Sequence, residues 1–194
     1  MQGDSTRQTQ KSRLSPPATP SKPTMDNDLE YKLIKSDKSL DDFVESFWLL
    51  QNHSDNNKNI IVLPDGRIDL VFYKSATKPF KITLIGLGTK YEQATITPKH
   101  LAYAISFKPL ATEYIFHEKI ADLLDAAKNL PTDFWNFSAS DLNNFDDFCK
   151  KATEKLHSLL PNKIDNRKRN LFDLIYSSNG IFTVQELSEK VFWS

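Results

Sequence analysis

A single cysteine, Cys149, excludes an intrachain disulfide and suits a reducing compartment. No apolar run approaches the ~20 residues that a membrane-spanning helix needs. No apolar h-region follows the first residues, so a secretory signal is not expected. These absences lead to the expectation of a cytoplasmic protein with no membrane partner. Net charge is lacking too, since 25 Lys and Arg balance 25 Asp and Glu. The balance is uneven along the chain. Residues 1–24 carry Arg7, Lys11, Arg13 and Lys22 against Asp4 alone, a net +3 that leaves −3 for the remainder. A mildly acidic body is a poor nucleic-acid binder by itself, because affinity for phosphates rests on clustered Lys and Arg.

Signatures of catalysis are equally sparse. The histidines His53, His100, His117 and His157 are scattered, with no His-x-His pair to serve a metal. No G-x-S-x-G element is present. The Gly86-Leu87-Gly88 stretch lacks the later glycine and the Lys-Ser/Thr ending of a phosphate loop. Cys149 falls on the apolar stripe of an expected helix, where a free cysteine behaves as a small hydrophobe. The run Arg167-Lys168-Arg169 reads as a solvated helix face more readily than as a phosphate contact. The chain therefore reads as a non-enzyme, with neither a metal nor a cofactor expected.

What is present supports a real core: 39% of residues are hydrophobic and 11% aromatic. Residues 1–28 read as a disordered leader. Their first 24 residues hold four prolines, much Ser, Thr and Gln, and only Leu14 as a large aliphatic after Met1, which cannot repay the entropy of ordering. Residues 29–109 read as β-rich. "NIIVLPDGRIDLVFY" gives two apolar runs split by Pro64-Asp65-Gly66, where Pro presets φ, Asp bonds back to the backbone and Gly accepts positive φ. "FKITLIGLGT" is a strand whose Gly86 and Gly88 mark a bend or bulge. "EQATITP" follows. In "LAYAISFKP", Leu101, Tyr103, Ile105 and Phe107 alternate at period 2. "SLDDFVESFWLLQN" fits a helix by spacing and a strand by composition. Closely spaced short strands indicate a barrel or sandwich.

Residues 110–178 change to period 3.6. "LATEYIFHEKIADLLDAAKNL" supports one or two short helices. "SASDLNNFDDFCKKATEKLHSLL" is the clearest helix, capped by Ser138 or Ser140 and stopped by Pro161. Its Leu142, Phe145, Cys149, Ala152, Leu156 and Leu159 recur at heptad spacing. They lie with Phe148 and Leu160 in an arc of about 120° at 100° per residue. A helix of ~30 Å must pack on something. Either the chain's own strands or the same helix of a second subunit would serve, and the narrow stripe favours a homodimer seam. "IDNRKRNLFDLIYSSNG" is a further helix closed by Asn179-Gly180. Residues 179–194 begin another, where Thr183 and Glu186 form a capping box ahead of Leu187. Strands first and helices second make an α+β plan.

Here a resemblance enters. "VLPDGRIDLVFY", the "GLGT" strand and the "AISFKPLATEYIF" strand-to-helix junction resemble the sensor half of AraC/XylS-type transcriptional regulators, whose N-terminal half is a cupin-like β-barrel. The tail "NGIFTVQELSEKVFWS" resembles the opening of that family's helix-turn-helix domain. Thr183, Glu186 and Leu187 match its first helix, and Ser194 matches the serine that starts the recognition helix. Phe192 stands where members often carry a turn glycine, and Ser188 where alanine is usual. The resemblance implies an effector-sensing and dimerisation module cut just before the first recognition helix: a truncated gene product, a fragment or an artificial boundary. It implies an unknown small-molecule effector, a homodimer, and DNA contact only through the absent C-terminal domain.

For the effector, the candidate lining is Trp48, Arg67, Asp69, Tyr73 and Tyr103, because ligand sites are mostly apolar with a few placed polar groups. Alternation over 67–73 puts Arg67, Asp69, Val71 and Tyr73 on one face and the apolar Ile68, Leu70 and Phe72 on the other. Asp65 and Asp69 also admit a plainer reading, as a turn aspartate and a carboxylate that pins the next strand. Two other functions stay open: a cupin-like small-molecule enzyme, and an interaction protein that pairs with a full-length regulator.

Overall fold

The computed structural model describes residues 28–192. Apart from Asp28, the expected leader lies outside the described residues, as does Ser194. Among them, strands β1 (Leu29–Lys35), β2 (Val44–Asn52), β3 (Lys58–Val62), β4 (Ile68–Lys74), β5 (Lys81–Ile85), β6 (Glu92–Ile96), β7 (Leu101–Phe107) and β8 (Ala127–Leu130) precede helices α1 (Phe145–Leu159), α2 (Asn166–Ser177) and α3 (Val184–Lys190). The fold is α+β. Six strands form one sheet in the order β1-β2-β7-β4-β5-β8, and β3 pairs with β6 as a separate ribbon. All the strand pairings are antiparallel. The large sheet does not close on itself, since β1 and β8 remain its edges.

Period-2 alternation gives the sheet its core face. Ile68, Leu70 and Phe72 of β4 lie beside Ile105 and Phe107 of β7, Phe47 and Leu49 of β2, and Ile82 and Leu84 of β5, all buried. The ambiguous segment before residue 52 is thus a strand, because its Phe47 and Leu49 are needed on this face. Helix α1 lies across it. Phe148 sits edge-on to Phe72 at 5.2 Å between ring centroids and to Tyr103 at 5.3 Å.

This packing corrects the expected subunit seam. Leu142, Phe145, Ala152 and Leu156 are no more than 6% exposed within the single chain. Cys149 and Leu159 are half-buried against the same core. The stripe meets the chain's own sheet, so it is not free to meet a second subunit. The start of the helix differs as well. Ser138 caps a short 3-10 turn at Ala139–Asn143, which holds Leu142, and the side chain of Asn144 caps α1 by accepting the Asp147 amide at 3.1 Å. Extended Asn144 (φ −143°) separates the two.

Beyond residue 109 the expected helices shrink to a π-turn at Thr112–Phe116 and a 3-10 turn at Ile120–Leu123. The chain then returns to the sheet as β8, so the sheet does not end at residue 109. The β3–β6 ribbon is pinned by buried Asn52. Its Nδ2 lies 3.1 Å from the Ile96 carbonyl and 2.9 Å from that of Asn56, while its Oδ1 accepts the Ser54 amide at 3.0 Å. A buried amide with its donors and acceptor used in this way holds its backbone partners in one geometry.

Helix α2 docks through Phe172, packed against the core, and through polar contacts. Arg169 Nη2 donates to Asp42 at 2.8 Å, and the Tyr176 hydroxyl donates to the Gly66 carbonyl at 3.0 Å. Burial pushes the Tyr176 phenol up to about 12, so it stays a donor. Left-handed Asn179 (φ 52°) and Gly180 (φ 72°) end the helix, and the Gly180 amide reaches back to the Ile175 carbonyl at 3.1 Å. The Thr183 hydroxyl then accepts the Glu186 amide at 3.2 Å while Glu186 accepts the Thr183 amide at 2.8 Å. That is the reciprocal box expected at the start of α3, with Leu187 half-buried behind it. No helix among the described residues is long and apolar enough to cross a membrane.

Candidate ligand site

The sheet's other face carries the functional candidates. One cross-strand row runs Ser46 (β2), Ser106 (β7), Asp69 (β4), Ile85 (β5) and Ala127 (β8), each opposite the next. The neighbouring row includes Trp48, Ala104, Val71 and Thr83. Both follow from strand alternation, since every second residue of β4 is large and apolar and takes the core side.

Asp69 is the chemical centre of this face. Its Oδ1 accepts from the Trp48 indole at 3.4 Å and, closely, from the Ser106 hydroxyl. Burial raises its pKa above the ordinary 3.8, the Ser106 bond opposes that rise, and the nearby Asp65 charge adds to it. The neighbouring Tyr31 phenol is raised as well, first by burial and then by the Asp69 charge.

A cavity of about 170 Å³ opens beside Asp69. Its walls are Asp69, Ile85 and Ala127 of the row, Val62, Leu63 and Pro64 where the ribbon leaves β3, and Gly86 and Leu87 beyond β5. Arg67, Asp65, Lys90, Glu92 and Asp125 add charged groups, and Gly88 and Ala126 complete it. The Asp125 carboxylate is held low by bonds from the Thr89 hydroxyl and amide. Arg67 is engaged by Asp65 at 3.2 Å and faces Glu45 at 3.7 Å. It also lines a second, charged cavity of about 320 Å³ against α2, with Glu45, Lys108, Arg169 and Tyr176. The Glu45 carboxyl is lowered there, chiefly by its bond from Lys35.

The structure brings some of the sequence candidates together. Trp48 and Asp69 are in contact, and Tyr73 shares their face, packed with Trp48 on Val71, Ala102 and Ala104. Arg67 and Asp69 line the same cavity. Tyr103 does not join them. It pairs with Phe72 on the core face, only 4% exposed, against Phe145 and Phe148. In alternation with small Ala102 and Ala104 it had to take the helix side, so it is a core residue. Sequence reasoning missed Ser46, Ser106 and the Ile85–Leu87 wall. Only register places them next to Asp69. Cys149 stays a protonated hydrophobe, its thiol pushed up to about 12 by burial. Among the described residues no three His, Cys, Asp or Glu side chains gather as a metal site.

Asp69→Asn is expected to stabilise the protein at pH 7, because the amide oxygen keeps both donors while the buried charge is lost. The folded pKa is raised, so the folded state binds the proton more tightly than the unfolded chain. The wild type therefore gains stability as pH falls through the raised value toward 3.8. The melting-temperature advantage of the variant should accordingly shrink as pH approaches 4. An advantage that is absent at pH 7, or that grows in acid, contradicts this account of Asp69.

A family model described as a domain of unknown function, DUF6597, matches residues 32–128. That span runs from β1 through both cavity walls to the start of β8. No curated protein and no solved structure matches the chain.

Proposed function

From the premise that the chain belongs to the DUF6597 family, a domain common in AraC-type regulators, we propose that it is the effector-sensing part of such a transcription regulator. A small organic effector enters the Asp69 cavity, and α2 carries the response to a DNA-reading helix-turn-helix that opens with α3. The carrying observation is the position of the Gly66–Arg67 turn. Arg67 lines both the ligand cavity and the groove under α2, and the Gly66 carbonyl holds the Tyr176 hydroxyl. A ligand that moves this turn acts directly on the helix preceding α3. The end of α3 also suits a helix-turn-helix entry, since Phe192, at the family's turn-glycine position, adopts φ 55°. The open sheet with its ribbon is compatible with a cupin-like sensor.

The test is made in the cell. Deleting the gene should change the transcripts of a defined gene set. Reintroducing the natural protein should restore them, and Tyr176→Phe, which removes only the hydroxyl bond to the turn, should restore them less. Transcripts that stay unchanged by the deletion across growth conditions would overturn the reading.

A further inference from the structure

Charge accounting around Asp69 leaves one atom over. Both of its hydrogen bonds fall on Oδ1. Among the described residues Oδ2 has no hydrogen-bond partner and no cation lies within ion-pair distance of the carboxylate. Arg67, the nearest candidate, is engaged by Asp65 and faces Glu45. A carboxylate oxygen left without a partner in a partly shielded site is open to a donor from outside the chain. The same row holds a second polar atom without a partner. Ser46 is 1% exposed and its Oγ has no hydrogen-bond partner. It lies next to Ser106 across the strand pair. Ser46, Ser106 and Asp69 thus draw a polar line across a face whose adjoining Val71, Ala102 and Ala104 are apolar.

The rest of the cavity constrains the ligand's body. Val62, Leu63, Ile85 and Leu87 offer apolar wall, and 170 Å³ is close to the ~150 Å³ that accepts a benzene ring in a cavity of known occupancy. The charged rim is acidic in excess, with Asp65, Glu92 and Asp125 against Arg67 and Lys90. An anionic ligand would meet Asp69 at the floor and this rim at the mouth. A neutral alcohol would leave the carboxylate without its counter-charge.

We propose that the Asp69 cavity binds a small protonated amine, its ammonium donating to Asp69 Oδ2 and its single ring or short alkyl body resting on Leu63, Ile85 and Leu87. This rests on the sensor reading for its biological meaning, but the binding stands or falls separately. The ammonium supplies the missing charge and at least one hydrogen bond in a site partly shielded from water, where a charge-assisted bond is stronger than a neutral one.

Three probes of matched shape test it: 2-phenylethylamine, 2-phenylethanol and phenylacetate, each titrated calorimetrically against the full chain at pH 7. The amine should bind about tenfold or more tightly than either partner. Asp69→Asn should lose that preference while retaining a cooperative melt. Equal binding of the alcohol, tighter binding of the acid, unchanged amine affinity in Asp69→Asn, or no binding of any probe would each overturn the proposal. None of these outcomes touches the transcript experiment, which tests the sensor reading alone.

Discussion

Leu156→Glu is expected to unfold the protein, not to split a pair of subunits. Leu156 is 0% exposed in the single chain, in a layer where α1 closes the sheet's core face with Phe145, Phe148 and Ala152. Truncating such a leucine to alanine costs about 2–5 kcal/mol. Placing a carboxylate there adds the penalty of an unpaired buried charge, about 3–5 kcal/mol by analogy with broken buried ion pairs. The sum is on the order of the whole stability of a domain, about 5–15 kcal/mol. Leu156→Ala gives the graded version. At about 2–4 °C per kcal/mol for a chain of this size, its melting temperature should fall by roughly 4–20 °C. Circular dichroism melts with sedimentation in parallel distinguish the cases. A Leu156→Glu protein that keeps its cooperative melt and only loses mass in sedimentation would put the stripe back at a subunit seam.

Gly86→Ala is the second substitution with a large expected effect, and its reason is space. A Cβ at Gly86 would fall 1.6 Å from the Leu123 carbonyl oxygen and 2.6 Å from its carbon. Both are backbone atoms, so no side chain can turn aside. The crossing segment is also fastened around this point. The Gly86 amide donates to the Ala126 carbonyl at 2.9 Å, and the Asp125 amide donates to the Leu87 carbonyl at 2.7 Å. Moving the segment breaks these bonds, detaches β8 from β5 and opens the cavity wall at Ala126–Ala127. The cost should be on the order of 3 kcal/mol or more, at or beyond the upper end for overpacking. Hydrogen exchange should report lost protection first in residues 123–130. A variant with unchanged melting temperature and unchanged exchange there would show that the close crossing is not needed.

The sequence by itself determined whatever depends on neighbours along the chain. Alternation in β4 separates Asp69, Val71 and Tyr73 from Ile68, Leu70 and Phe72, because side chains of a strand change sides at each residue. Pro64-Asp65-Gly66 sets the turn before it, with Gly66 at φ 73°. The box at Thr183–Glu186 and the stop at Asn179-Gly180 form from residues a few positions apart. The apolar stripe of α1 was equally visible. What faces that stripe was not, since periodicity reports which side of a helix is apolar and says nothing of what covers it. Only the tertiary structure decided for the sheet over a second subunit. It also brought β8 to the sheet's edge, where a short exposed strand such as Ala-Lys-Asn-Leu carries no apolar period to read. The candidate site was legible only in part for the same reason. Asp69 and Trp48 stood out as residue types, but the Ser46–Ser106–Asp69 row and the Gly86 crossing exist through register between segments 20 or more residues apart. Register is chosen by the packing of the whole sheet, not by any one strand.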